Sequence, residues 1–220
     1  MTRARAADRW SQLERALRAS GGELIAGLDE VGRGPLAGPV VACVVVMSPT
    51  APCIRGVTDS KRLTPPQREL LARRIVERAL AVRLGAASVR EIDRINIYHA
   101  TTLAMRRALA GLRVRPDHVL VDGNPIAALG CEHTAVVGGD ARCYSIACAS
   151  IVAKVARDRL MCALAARHSA YAWERNAGYG TAHHLTALRE HGPTSHHRRS
   201  FSPVMQLGLA LEPREPVLTA

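Results

Sequence analysis

Three features of the 220-residue sequence predict an α/β fold. Short apolar, β-branched runs near residues 24–28, 40–47, 82–89, 118–121 and 134–137 alternate with stretches of helical periodicity. Glycine and proline punctuate the boundaries. Three of the runs end in acids: Asp29 with Glu30, Asp122, and Asp140 after two glycines. Ligands of open α/β sheets bind at the rim formed by strand ends, so these acids mark a candidate site.

A chain of this length buries one good core with room for a small appendage. The expected organisation is an N-terminal extension over 1–22 with a short helix, a main domain over 23–205 that includes a C-terminal helical segment, and a flexible tail over 206–220. The net charge is +11, and of the 30 lysines and arginines only Lys61 and Lys154 are lysine. Such a surplus favours polyanions, nucleic acid above all, through counterion release. A composition bias toward arginine accounts for it equally well. No apolar run near the strands reaches the length of a bilayer, and the basic N-terminus lacks the apolar stretch of a secretory signal. A cytoplasmic protein is expected. The six cysteines show no C-x-x-C spacing and several fall in apolar segments, as reduced core thiols do. Cys131 and His133 lack the partner pair of a zinc site.

In chain order, residues 8–19 place Trp10, Leu13 and Leu17 on one side of an amphipathic helix that Ser20, Gly21 and Gly22 end. A strand pair over 24–47 flanks a glycine-rich turn, and a Pro-containing loop spans 48–57. Thr64 N-caps a helix that starts near Pro65 and Pro66 and buries Leu71, Ile75 and Ala79. After the third strand, 91–110 is helical, with Leu103, Ala104 and Ala108 inward and a break near 94–96. Pro116 and Asp117 announce the fourth strand. A long helix of small residues covers 144–168, another helix 181–190, and a basic loop 195–201. Residues after about 204 are expected to be loosely held.

Carboxylates gathered without neutralising lysines repel one another at short range. Such a cluster persists with raised pKa values or around metal ions. Oxygen donors suit Mg²⁺ or Mn²⁺, which take phosphate oxygens as further ligands. Two such ions about 3.5–4 Å apart activate a water and stabilise the leaving oxygen of an in-line phosphoryl displacement. An acidic metal pocket in a basic protein therefore points to a nuclease. Taken singly, each acid also has an ordinary reading: Asp122 before Gly123 fits a turn, and Asp140 a helix cap.

The turn after Glu30 fits G-x-G-x-x-A over Gly32-Arg33-Gly34-Pro35-Leu36-Ala37, the dinucleotide fingerprint. That motif requires a helix next, whose N-terminus holds the pyrophosphate. Here Pro39 and the β-branched run 40–46 follow, and Asp29 and Glu30 would repel phosphate, so the reading is rejected.

At this point the sequence closely resembles the ribonuclease HII family. The matching segments are Asp29-Glu30-Val31-Gly32-Arg33-Gly34-Pro35-Leu36-Ala37-Gly38-Pro39-Val40, Asp59-Ser60-Lys61, Ile95-Asn96-Ile97 with Ala100-Thr101, and Val121-Asp122-Gly123. They continue with Gly139-Asp140, Ser145-Ile146-Ala147 through Lys154, Arg157-Asp158, Gly178-Tyr179-Gly180-Thr181 and His197-Arg198-Arg199-Ser200-Phe201. The resemblance implies a ribonuclease H-like fold: a central mixed sheet, helices on both faces, and a C-terminal helical extension contributing Tyr179. It implies a monomeric endonuclease that cuts the RNA strand of RNA/DNA hybrids and single ribonucleotides in duplex DNA, leaving 5′-phosphate and 3′-hydroxyl ends. Asp29, Glu30, Asp122 and Asp140 would hold two Mn²⁺ or Mg²⁺ ions with substrate bound, Asp29 and Asp122 centrally. Gly32, Arg33 and Gly34 would read the ribose 2′-hydroxyl through the backbone, and Tyr179 would pack on the neighbouring sugar. Lys61 and Lys154 are candidate phosphate contacts. The family usually has lysine before Gly139, where this chain has Gly138, so one phosphate contact is missing. Cys143 and Cys148 replace small or hydroxyl residues.

Other residues have plainer readings. His183 and His184 read as surface or capping groups, with one of them able to sit near the site. His196, His197, Arg198 and Arg199 read as a solvated basic loop that could touch nucleic acid. Trp10 and Trp173 read as packing anchors, and 3% aromatic residues argue against a stacking-based single-strand binder. A catalytically silent hybrid binder and a phosphatase-like enzyme for small esters are the competing functions. Divalent-ion dependence separates the first, and competition between hybrid and a small ester the second.

Overall fold

The computed structural model describes residues 11–211. Helix α1 (Gln12–Ala19) leads into β1 (Ile25–Val31) and β2 (Val40–Met47), then α2 (Pro65–Arg78), β3 (Ala79–Ala87) and α3 (Val89–Ala110). β4 (His118–Asp122) and β5 (Thr134–Val136) complete the strands. Two helices, α4 (Gly139–Arg142) and the long α5 (Tyr144–Ala165), follow at once. The C-terminal part holds α6 (Trp173–Asn176), α7 (Ala182–His191) and α8 (Ser202–Leu211).

The strands form one mixed sheet in the order β3-β2-β1-β4-β5. β2 pairs antiparallel with β1 and β3, whereas β1–β4 and β4–β5 are parallel. Because β1, β4 and β5 run the same way, their carboxyl ends share one rim. That is where residues 29–30, 122 and 140 fall.

β2 is buried along its whole length because helices cover both faces. Its alternating side chains divide between them. Cys43, Val45 and Met47 pack with Ile75 of α2 and Ile151 of α5, while Ala42, Val44 and Val46 pack with Ile92, Ala104 and Met105 of α3. Two glycines allow close contact: a side chain at Gly27 would collide with the Ser145 backbone of α5, and one at Gly85 with the Ala104 carbonyl of α3.

The expected break in α3 is real. Asn96 sits at φ 62° and ψ 169°, and its side-chain oxygen accepts from the His99 amide at 3.1 Å, capping the second half of the helix. β3 starts earlier than its β-branched residues indicate. Ala79 still donates to the Ile75 carbonyl but has extended ψ 144°, so it opens the strand instead of closing the helix face. Past residue 204 the chain is helical through Leu211, where a loose segment is expected; Val204 is buried beside Leu36 and Trp173. Trp10 and residues 212–220 lie outside the described residues. Among those described, no helix is long and apolar enough to cross a membrane.

The N-terminal helix has a structural task. Leu13 and Leu17 pack on the cluster of Ile25, Leu120 and Ile146, and between them Glu14 is fully buried. Its carboxylate accepts from the Tyr144 and Ser145 amides at 3.1 and 2.8 Å and from the Ser145 hydroxyl at 2.6 Å. These amides begin α5 and have no partner within the helix, and the dipole there favours an anion. α1 thus caps the helix that follows Asp140.

Candidate active site

Successive residues of a strand face opposite sides, so Asp29 and Glu30 diverge. Asp29 turns toward α5, where the nearby Ser150 hydroxyl favours its charged form, and it accepts from the Glu30 amide at 2.7 Å. The Ser150 hydroxyl lies 3.0 Å from that of Ser60, which brings the Asp59-Ser60-Lys61 segment to the site. Glu30 turns toward α3 and lines a cavity of about 220 Å³ with Arg33, Tyr98, Thr101, Asp122 and Asn124. Asp122 ends β4 and accepts from the Gly139 amide at 2.6 Å. Asp140 is buried in α4 and takes the Lys61 ammonium at 3.3 Å.

The four acids act on one another electrostatically. Burial pushes Asp29 well above the ordinary carboxylate range, and Glu30 and Asp122 push it further. Burial also raises Glu30, against the pull of Arg33 at 3.3 Å. Asp122 is raised by burial, drawn back by the Gly139 amide and raised again by Asp140. Lys61 is opposed by partial burial, yet Asp140 holds it above its usual value. Across the β1–β2 ladder from Asp29 stands Cys43, whose thiol burial and the Asp29 charge both keep protonated.

A cluster strained in this way is relieved by protons or by cations. Its donors are carboxylate oxygens, which fit Mg²⁺ or Mn²⁺. Among the described residues, no three Asp, Glu, His or Cys side chains stand in a ready-made ion cage. Cys131 and His133 form no zinc site either, since His133 Nε2 accepts from the Ile126 amide.

The glycine turn runs from these acids along one wall. Gly32 has φ 92°, and a side chain there would strike the Arg157 guanidinium. Gly34 is exposed, and a Cβ built on it would lie 3.6 Å from the Tyr179 ring, itself 46% exposed. The structure thus brings Gly32, Arg33, Gly34 and Tyr179 together. Lys154 is drawn into an ion pair with Asp158 at 2.7 Å.

Three residues read as solvated or capping groups are in fact buried: His184, His197 and Arg198. Arg198 spends its guanidinium on the carbonyls of Gly32, Arg33 and Gly38, so backbone oxygens replace water as its acceptors. His184 donates into the Tyr179 carbonyl at 2.8 Å. His183 and Arg199 are exposed, as expected. A second buried guanidinium, Arg157, donates to the carbonyls of Ala37, Pro39 and Ala177. Its sequence signal was legible: Ala153, Arg157 and Met161 recur every four residues on the buried face of α5. Arg198 offers no such periodicity.

A mixed sheet in this order, with acids where its parallel strands end, defines a ribonuclease H-like enzyme. The match to solved structures agrees. Ribonuclease H2 from Pyrococcus horikoshii OT3 superposes with a TM-score of 0.71 at 25% identity, over 87% of this chain and 100% of that one. The structure of the PCNA:RNase HII complex from Archaeoglobus fulgidus gives 0.67 at 25% identity, over 83% and 96%. The chain belongs to the ribonuclease HII family, whose model matches residues 26–204. It is 54% identical to ribonuclease HII of Paraburkholderia xenovorans (strain LB400), over 86% of this chain and 76% of that protein. With ribonuclease HII of Burkholderia thailandensis it shares 54% identity, over 84% and 86%. It is therefore a ribonuclease H, a hydrolase acting on RNA/DNA hybrids.

Proposed function

We propose that this ribonuclease H cuts duplex DNA at single embedded ribonucleotides as well as RNA/DNA hybrids, by divalent-metal-assisted hydrolysis. The observation that carries this reading is the placement of Gly34 beside the Tyr179 ring, whose edge lies 3.6 Å from where a side chain at Gly34 would begin. It puts a backbone that can approach a 2′-hydroxyl next to an exposed ring that can test the adjoining sugar, a few residues from Asp29 and Glu30. One ribose then suffices for recognition.

Asp29, Glu30, Asp122 and Asp140 would hold Mn²⁺ or Mg²⁺, with Asp29 and Asp122 central. Bound there, the ions supply an activated water and a counter-charge for the leaving oxygen. The carboxylates, raised by burial and mutual repulsion, would be relieved of that strain by bound cations. Water adds to phosphorus and the P–O3′ bond breaks, leaving a 3′-hydroxyl on one fragment and a 5′-phosphate on the other. The side chain of Lys61, 81% exposed beside Asp140, is a candidate phosphate contact. Lys154 is a second one once it leaves Asp158. The six free cysteines accord with a reducing, cytoplasmic setting.

The test is an end-labelled DNA duplex carrying one ribonucleotide, incubated with the protein with and without Mn²⁺ or Mg²⁺. One metal-dependent cut with a 3′-hydroxyl terminus is expected. Cleavage of an all-RNA hybrid but not of this duplex would overturn the single-ribonucleotide reading, and cutting in chelator would overturn the metal reading.

A further inference from the structure

We propose that His197 and Arg198 are positioning residues that lock the Gly32–Gly34 turn and Tyr179 into one ribonucleotide reader. The inference rests on the reading of that turn and ring given above, and adds the device that holds them in register.

Arg198 acts on the turn. Fully buried, it donates from Nη1 to the Arg33 carbonyl at 2.7 Å, from Nη2 to those of Gly32 and Gly38, and from Nε to Gly38 at 3.0 Å. In a trans peptide the N–H points opposite to the C=O. Drawing the Gly32 and Arg33 carbonyls inward therefore turns the Arg33 and Gly34 amides outward, on the side where both residues are exposed. The backbone of the same segment completes the grip. The Arg198 amide donates to Leu36 at 2.8 Å, and Gly38 donates to His196 at 2.9 Å.

His197 acts on Tyr179, and the hydrogen bonds set its tautomer. The Thr194 amide donates to His197 Nδ1 at 2.9 Å, so a neutral His197 carries its proton on Nε2. That proton goes to His184 Nε2 at 3.0 Å, which also accepts from the Trp173 indole at 3.2 Å. His184 is left with a proton on Nδ1, donated to the Tyr179 carbonyl at 2.8 Å. The relay runs in one direction, and the single lone pair of His184 Nε2 is shared between His197 and the Trp173 indole. Asp93 anchors its origin by accepting from the Arg199 amide at 3.1 Å and from the Ser200 amide and hydroxyl at 2.9 and 2.7 Å.

Burying a guanidinium on neutral carbonyls is a costly way to fill space. Its fork geometry does fix the direction of several peptides at once.

The experiment compares affinity for two duplexes that differ only in one 2′-hydroxyl, measured in chelator by fluorescence anisotropy. The wild-type protein is expected to prefer the ribonucleotide duplex. Arg198→Lys, which cannot reproduce the fork, is expected to lower that preference about fivefold, the worth of one aimed hydrogen bond, with all-DNA affinity unchanged. Asp93→Ala, a partly exposed change, is expected to lower it about twofold for the same reason. If both folded variants keep the wild-type preference, the positioning role is overturned; should Arg198→Lys fail to fold, Asp93→Ala decides alone. A wild-type protein without preference would instead overturn the reading of the turn itself, and the brace with it.

Discussion

The Gly139 amide donates to Asp122 Oδ1 across 2.6 Å, joining the end of β4 to the residue before Asp140. One side chain therefore serves both the charge of the site and its shape. Asp122→Asn keeps an acceptor oxygen and removes a charge that burial and Asp140 both oppose, so it is expected to be at least as stable as the parent. Asp122→Ala orphans the amide and is expected to be about 1 kcal/mol less stable than the Asn variant. Urea denaturation of the two proteins measures the difference.

Glu14 fastens α1 to the start of α5 from 130 residues away. Glu14→Ala would remove the acceptor of three amides, those of Ser11, Tyr144 and Ser145, and of the Ser145 hydroxyl. The expected loss is about 2–4 kcal/mol, at 1–3 kcal/mol for each group left unpaired and allowing for water to reach some of them. Chemical denaturation checks it, and Glu14→Gln, which still accepts, should recover a large part of the loss.

His197 makes folding sensitive to acid. Burial, then the neighbouring His184, His168 and His196, pull it down to about 3, while an unfolded histidine titrates near 6.5. Between those values the unfolded chain binds a proton that the folded one refuses. Stability is therefore full above about pH 6.5 and declines as pH falls toward 3, by several kcal/mol at most. His197→Gln cannot take up that proton, so its stability curve between pH 7.5 and 4.5 is expected to be flatter than the wild type's. Parallel slopes would contradict this.

Much of the fold could be read from local pattern. An apolar run that meets acids marks a strand end at Asp29 and at Asp122, and the break at Asn96 shows as a lapse in the helical period. The glycine turn was legible because Gly32, Gly34 and Gly38 follow the acids directly; the positive φ of Gly32 and its closeness to Arg157 show only in the structure. Arg198 and His197 were not legible, since a run of histidines and arginines reads as solvated until its acceptors are known. Those acceptors lie as far as 166 residues away, in the turn itself. Glu14 escaped for the same reason, as its partners are the amides of a helix that periodicity places but cannot orient. Lys154 matches a family segment, but the reach of Asp158 decides where its ammonium rests.

The central claim is that the carboxylates at the strand ends carry metal-dependent cleavage. The most direct test compares wild-type protein and Asp122→Asn on a labelled RNA/DNA hybrid, measuring binding in chelator and cleavage with Mn²⁺ or Mg²⁺. Binding within about twofold of wild type and cleavage lower by roughly a hundredfold or more are expected, as for other losses of transition-state charge stabilisation. An Asp122→Asn protein that cleaves at the wild-type rate would contradict the site.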